Sequence, residues 1–435
     1  MNPSDISRCL GINENGHLTI GGCDTVSLAE TYGTPVYVMD ETTIRNTLQQ
    51  YKLSLENHYQ NGGTVAYASK ACSFKELYRI VNDEGCSADV VSCGEMYTAI
   101  QAGFPAERLF FHGNNKTEAD LRMALSYGIG HIVVDNVSEL HRLSRVAVSM
   151  EKTAAILMRI TPGIDAHTHD FVKTGQIDSK FGFTLENGEA LESVGVALSL
   201  PGLQLKGMHC HIGSQIFDEQ PFKHAAETML GFLDQIRSKY QITLPILNLG
   251  GGFGIKYLAT DAPLPCGNYM SLVAQALNAE AERLQYPLPH IVIEPGRSVV
   301  ASAGVTLYTV GGVKTIPEIR TYVSVDGGMA DNPRYALYHA DYTVVVANKM
   351  NEPATNRVTI AGRCCESGDL LQENTLIAPC KEGDILAVLA TGAYNYSMSS
   401  HYNRLPNPAV VMVKDGISRV VVKGETFEDL IKNDI

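Results

Sequence analysis

No Lys/Arg-rich block occurs anywhere in the 435 residues, and acidic side chains outnumber basic ones by 47 to 34, for a formal net charge of -13. A field of that sign repels nucleic acid and anionic membranes, so an anionic ligand must be held by local donors. No apolar run approaches the roughly 18 residues that a membrane span requires. The opening residues MNPSDISRCLGINENG have neither the basic nor the apolar region of a secretory signal. Ten cysteines are scattered along the chain without a C-x-x-C pair. That spacing argues against a structural zinc site and, lacking a secretory signal, for reduced thiols in a cytoplasmic protein. Internal repeats and low-complexity tracts are also missing.

What remains is ordinary for a globular protein, with 45% apolar and 19% charged residues. The length exceeds what one core usually carries and predicts two domains. Short apolar, β-branched runs recur as TVAYAS (64–69), SADVVS (87–92), RLFFHG (108–113), HIVVDN (131–136) and AAILMRI (154–160). LKGMHCHIG (205–213), PILNLGG (245–251) and HIVIEPG (290–296) follow, and helical segments such as SFKELYRIVNDEG separate most of them. Strands buried on both faces, each followed by a helix, make a parallel sheet with right-handed crossovers. Eight such units over about 250 residues predict a (β/α)8 barrel, with a doubly wound open sheet as the competing architecture.

After Arg297 the texture changes to strand-rich segments with turn residues between them, from VTLYTVGGVKTI to ISRVVVKG. The predicted division is a barrel over 36–296 and a β-rich domain, sandwich- or barrel-like, from 297–435. The first 35 residues, including HLTIGG, are also strand-like and are grouped with it, their pairing left open.

Barrel enzymes carry their chemistry at the C-terminal ends of the strands. Lys70, in YASKA, ends the first run; among small apolar neighbours its ammonium is disfavoured and its amine becomes a nucleophile. Alone, it reads better as a lysine reaching from a strand end into water. Gly250, Gly251 and Gly252 allow backbone N–H groups to approach a phosphate, or simply make a tight strand-to-helix turn. Glu294, in IVIEPGR, is a carboxylate for a protonated ring nitrogen or the partner of Arg297. Together the three describe a pyridoxal phosphate site: a lysine for the covalent link, amides for the phosphate and a carboxylate that keeps the ring protonated.

The motifs YASKA, CHIGSQ, NLGGGFG, EPGR, DGGMADNPR, CCES and GAYNYSMSSHYN stand in the order found in the alanine-racemase-like barrel decarboxylases. The resemblance runs from TPVYVMD to the C-terminal strands. TPGIDAHTHDFVKTGQIDSKFGF (161–183) and DNPRYALY (331–338) resemble those that act on diaminopimelate. It implies that Lys70 binds pyridoxal 5'-phosphate, that His211 stacks on its ring with Asp89 in support, and that Glu294 pairs with the ring nitrogen. Ser214, Gly250 to Gly252 and Gly296 would hold the phosphate, Tyr394 the phosphate or the substrate, and Arg159 lies near the cofactor in relatives. Arg297, also placed near the cofactor, would bind the substrate's distal carboxylate with Arg334 and Tyr338. Glu366 would bind the distal ammonium, and Cys365 would deliver the proton that replaces carbon dioxide. The resemblance further implies a homodimer, with the loop bearing Cys365 reaching into the partner's barrel.

The substrate's chemistry agrees. Diaminopimelate carries an amino-acid head at each end, so its far head needs cations as well as an anion, whereas ornithine offers only an ammonium. An arginine pair grips a carboxylate bidentately, as a lysine cannot. Two departures from the family pattern stand at the pocket edge: Tyr335, often proline, and Asn407-Pro408, where Arg-Pro is common. The doublet Cys364-Cys365 leaves the acid to motif register, which favours Cys365 because it precedes Glu-Ser.

Three other readings compete. His167-Thr168-His169 and His209-Cys210-His211 are H-x-H pairs of the kind that bind metals in barrel hydrolases. In such enzymes, however, the pair lies on the first strand, which here carries lysine. A barrel that had lost catalysis to become a regulator would lack the lysine, the cysteine or the glycines, and all are present. A sister decarboxylase or racemase with another basic amino-acid substrate is the runner-up.

Overall fold

The computed structural model describes residues 2–164 and 179–435. The histidine pair at 167 and 169 lies outside them. The chain forms two compact units. One comprises Thr47–Gly254 and Pro263–Gly296, the other Met1–Asn46, Ile255–Ala262 and Arg297–Ile435.

The first unit is a closed parallel barrel. Its strands are β1 (Gly63–Ala68), β2 (Ser87–Val90), β3 (Leu109–Phe111), β4 (His131–Val134), β5 (Ala154–Thr161), β6 (Leu203–Cys210), β7 (Ile246–Asn248) and β8 (His290–Ile293). Each pairs in parallel with the next, and Ile291 to Ile293 of β8 pair with Gly63 to Val65 of β1 to close the ring. All eight coincide with the apolar runs of the sequence, and the open-sheet alternative is excluded by that closure. Ala66, Phe110, Val133, Leu157 and Val292 pack as one buried cluster, with Ile246 against it. Side chains from strands all round a ring meet only inside it, so the barrel has a packed interior. The helices carry their own local signals. Glu118–Tyr127, for example, begins at a reciprocal Thr117–Asp120 capping box and ends at Gly128 with φ +74°.

The second unit is β-rich, as its sequence indicates. Its main sheet runs Leu370–Ile377, Asn356–Ala361, Arg320–Val325, Gly304–Ile316, Val36–Asp40, Val410–Lys414, Ile417–Val422. Ile385–Leu389 also pairs with the long strand Gly304–Ile316, and with Val344–Val346.

Three details differ from the sequence reading. Val36–Asp40, placed there at the start of the barrel segment, is a central strand of this second sheet, antiparallel to 304–307 and parallel to 410–413. All five of its residues are buried, and a run buried on both faces has the same pattern in either setting. HLTIGG contributes Leu18–Ile20 to a separate three-stranded sheet with Leu10–Ile12 and Cys23–Asp24. The Leu18 N–H donates to the Ala347 carbonyl at 2.7 Å. Leu370–Ile377 gave no strand signal because Gln372, Glu373 and Asn374 interrupt it. Gln372 is nonetheless buried, accepting from the Tyr342 N–H at 2.8 Å and donating to Asp341 at 2.7 Å. Among the described residues no helix is long and apolar enough to cross a membrane.

Candidate active site

At the C-terminal end of the barrel, Glu294 is the centre of a buried polar cluster. Asn248 at the end of β7 donates its Nδ2–H to Oε1 at 2.7 Å, and His209 Nε2 lies 3.1 Å from Oε2. His112, just after β3, places Nε2 2.9 Å from Oε1, out of line for a direct hydrogen bond. Burial alone would raise the Glu294 carboxyl, but His112 and His209 outweigh it and hold the group well below the usual carboxylate range. His209 is itself pushed down to about 4 by burial, against the pull of Glu294. It is therefore neutral at pH 7, and facing an anion that can only accept, its Nε2 carries the proton.

Lys70 sits in the 3-10 turn Ser69–Ala71 that follows β1, with its side chain exposed. Its charge is felt by Asp89, Glu95 and His211. Asp89, on β2, is buried, and its Oδ1 has no hydrogen-bond partner among the described residues. Burial and the nearby Glu294 push its carboxyl well above the ordinary range, with Lys70 opposing. His211 accepts the Gly251 N–H at Nδ1 over 3.3 Å; burial, Lys70 and Arg159 keep the ring neutral. Arg159, on β5, lies 3.9 Å from Asp135 and stacks 4.3 Å from the centroid of Phe181.

The glycines are required by contact as well as by backbone angle. A Cβ on Gly251 would stand 2.0 Å from the Glu294 carbonyl oxygen, and one on Gly252 (φ +113°) 2.5 Å from that of Gly213. On Gly296 it would meet Ala68 at 2.8 Å. The amides of the run divide their duties. The Gly250 N–H bonds Asn248 Oδ1 at 2.9 Å and that of Gly251 bonds His211, so these two are engaged within the protein. Ser214 follows Gly213 in the loop after β6, half-buried.

In the β-rich unit, Arg297 and Arg334 are both buried and each opens a short helix. Their guanidinium carbons flank the same two rings. Arg297 lies 4.8 Å from the Tyr394 centroid and 5.8 Å from that of Tyr257, and Arg334 lies 5.5 and 5.7 Å from them. Arg297 donates to the Tyr257 hydroxyl at 2.8 Å. Arg334 Nε has no hydrogen-bond partner among the described residues. Burial works against its charge, but Tyr342, Tyr257, Tyr394 and Tyr338 more than compensate and raise its pKa. Tyr394 holds φ +62°, a left-handed conformation uncommon for a bulky residue. Tyr335 anchors the helix bearing Arg334 and Tyr338 by donating to Glu373 at 2.9 Å. Asn407 donates its N–H to Glu425 at 2.9 Å. The two departures from the family pattern thus have local bonding roles.

The cysteine doublet divides by environment. Cys364 is buried against Asp369, and burial with that carboxylate pushes its thiol up to about 11. Cys365 is exposed, its N–H bonded to Asn403 Oδ1 at 2.7 Å. Glu366 is also exposed, 3.4 Å from the Tyr402 hydroxyl. The loop between them and the strand 370–377 is closed by Asp369, whose carboxylate accepts the Met329 and Cys364 N–H groups at 2.6 Å each.

Sequence reasoning missed His112, Asn248, Tyr257 and Tyr342, and considered His209 only as half of a metal-binding H-x-H pair, with no part in the cofactor site. The available signal was one polar residue closing an apolar run, as in LFFH and ILN. The donor set suits the group that the motifs imply. A carboxylate has about four acceptor positions; two hydrogen bonds and the His112 approach leave Oε2 of Glu294 room for a ring N–H. The orphaned Asp89 oxygen and the neutral His211 line the same strand ends.

Comparison with known proteins leads the same way. Residues 41–301 match the family described as pyridoxal-dependent decarboxylase, pyridoxal binding domain. The diaminopimelate decarboxylase of Bacillus subtilis is 50% identical over 423 residues, 97% of this chain and 96% of its own. A crystal structure of the M. jannaschii diaminopimelate decarboxylase in complex with L-lysine superposes with a TM-score of 0.91 at 32% identity, covering 100% of this chain and 99% of that one. The Helicobacter pylori enzyme, also with L-lysine, gives 0.85 at 31% identity over 94% and 98%. The chain belongs to the diaminopimelate decarboxylases, within the pyridoxal-dependent decarboxylase family.

Proposed function

We propose that this chain is a carboxy-lyase that uses pyridoxal 5'-phosphate to convert meso-2,6-diaminopimelate to L-lysine and carbon dioxide, the last step of lysine synthesis. The observation that carries the substrate reading is the buried Arg297–Arg334 pair flanking Tyr257 and Tyr394. Two guanidiniums in one aromatic setting suit a carboxylate, and a substrate with only a distal ammonium would be repelled by them.

When bound, the cofactor supplies an electron sink for the pair left behind as carbon dioxide departs. Lys70 would hold it covalently, Glu294 would pair as an anion with its ring nitrogen, and the neutral His211, supported by Asp89, would stack on its ring. Arg159 lies alongside. Ser214, Gly252 and Gly296 hold the phosphate, while Gly250 and Gly251 shape the turn through their bonds to Asn248 and His211. Tyr394 reaches the phosphate or the substrate. Arg297, Arg334 and Tyr338 bind the distal carboxylate and Glu366 the distal ammonium, which fixes which end of the substrate reacts. Cys365 gives a proton to the carbon that has lost its carboxylate. The enzyme works as a cytoplasmic homodimer with shared sites.

Incubating the purified protein with meso-diaminopimelate, ornithine, arginine and lysine and measuring carbon dioxide tests the proposal. Release from diaminopimelate alone is expected. Faster release from ornithine or arginine would overturn the substrate assignment.

A further inference from the structure

His112, His209, Asn248 and Glu294 come from four different strand ends and meet at one buried point of the barrel. None is more than 7% exposed. Asn248 and His209 each bond a different oxygen of Glu294, at 2.7 and 3.1 Å. His112 stands 2.9 Å from Oε1, and its ring meets that of His209 edge-on, 4.8 Å between centroids at 70°. His112 is in turn fixed from behind. The next residue, Gly113, gives its carbonyl to the buried Lys116 ammonium at 2.7 Å, which is also paired with Glu139 at 2.7 Å.

The family resemblance gave none of these three supporting side chains a role, although Asn248 opens NLGGGFG, yet without them Glu294 would be a buried carboxylate with little but the Arg159 charge to oppose its protonation. A protonated Glu294 would present either a donor or a weak acceptor to the cofactor's ring nitrogen. An ionised one presents only acceptor positions. His112, His209 and Glu294 also hold ligand atoms within 4.8 Å of one another. A hydrogen bond from His209 to the anion requires the proton on Nε2, however, so the atom facing Glu294 is a donor and has no lone pair for a metal.

We propose that His209, buttressed by His112, is a positioning residue that fixes Glu294 as an anion with one acceptor position open, and thereby makes the site select a cofactor ring with a protonatable nitrogen. The inference rests on the reading that Glu294 meets the ring nitrogen, and it adds the residues that give Glu294 that capacity. His209 touches neither cofactor nor substrate in this scheme.

The test measures affinity rather than turnover. Full-length protein stripped of cofactor is titrated with pyridoxal phosphate and with its carbocyclic analogue, in which C–H replaces the ring nitrogen. Aldehyde and phosphate are the same in both, so only the nitrogen's contribution enters the ratio of affinities. Wild type is expected to prefer pyridoxal phosphate at least about tenfold, the scale of one charge-assisted hydrogen bond. His209→Leu should lose most of that preference. His209→Gln should keep it, because the glutamine amide nitrogen sits near the place of Nε2. Should His209→Leu fail to fold, His112→Leu serves in its place, with a smaller loss of preference expected. A merely structural role for the histidines would lower both affinities together and leave the ratio unchanged, which overturns the proposal. Glu294→Gln separates the two levels. If it too leaves the ratio unchanged, the assignment of Glu294 to the ring nitrogen fails. If it abolishes the preference while the histidine variants keep it, only the role of the histidines fails.

Discussion

If Arg334 binds the substrate's distal carboxylate as proposed, one side chain separates substrate recognition from cofactor binding. Among the described residues its Nε has no hydrogen-bond partner, and surrounding tyrosines sustain its charge, so Arg334→Ala removes a cation and leaves no partner of that nitrogen behind. Losing an Arg–carboxylate contact in a buried site costs ~2–5 kcal/mol. The expected outcome is a fall in kcat/KM for diaminopimelate of that size, with pyridoxal phosphate affinity close to wild type. Arg334→Lys should not restore it, because an ammonium cannot grip a carboxylate bidentately. A variant that lost cofactor but kept its substrate preference would place Arg334 elsewhere in the mechanism. Lys70→Ala should abolish borohydride-trappable cofactor together with nearly all activity; a persistent adduct would point to a different lysine. Legibility at this scale followed chain neighbourhood. Lys70, Glu294 and the glycine run stand out because their local strings carry the chemistry. His112 and Asn248 do not, because their meaning lies in a partner on another strand. Tyr257 was hidden for a related reason. It sits in Ile255–Ala262, which follows the glycine run in sequence but belongs to the β-rich unit, beside Arg297.

Among the elements, the eight barrel strands were the most readable, since continuous apolar runs of four to eight residues with helices between them admit few arrangements. Val36–Asp40 shows where that logic stops, because burial on both faces does not say which sheet a strand joins. Its position is secured by the next residue. Glu41, buried at the start of helix Glu41–His58, accepts from Arg45 at 2.8 Å, Lys414 at 3.1 Å and Arg419 at 2.9 Å. Burial opposes ionisation of Glu41, but the three cations outweigh it and bring its pKa to about 2. Because the folded value lies below the unfolded one, Glu41 stabilises the fold above the ordinary glutamate range, and that contribution fades as pH falls towards 2. Glu41→Gln is therefore expected to lower the melting temperature at pH 7 and to have a shrinking effect below about pH 4.3. A difference independent of pH would show that the ionised carboxylate contributes nothing specific. Asp369 does the analogous work for the loop 363–368. Asp369→Ala releases the Met329 and Cys364 N–H groups and should speed labelling of Cys364 by a thiol reagent, since that thiol is otherwise buried. An unchanged labelling pattern would mean that the loop holds its shape without the carboxylate.

For the whole molecule, the proposed reaction needs both a lysine and an acid. Lys70 belongs to the barrel unit and Cys365 to the β-rich unit. Of the two adjacent thiols, Cys365 is the exposed one and therefore the one that can be offered to another surface. Glu366 beside it is exposed as well, with its hydrogen bonds at 3.4 Å long enough to be exchanged for a substrate ammonium. A loop that projects an acid and a carboxylate outward suits a site completed by a second copy of the chain, as the family resemblance implies. The consequence can be tested without a structure of the dimer. Lys70→Ala and Cys365→Ala proteins are each expected to be inactive. Mixed under conditions of subunit exchange, they form dimers of which half are heterodimers, and each heterodimer has one doubly defective site and one intact site. Activity should therefore recover to about a quarter of wild type by mixing statistics in a symmetric dimer. If exchange is demonstrated by mass-tagged subunits and no activity returns, Lys70 and Cys365 act within the same subunit and the shared-site arrangement is wrong.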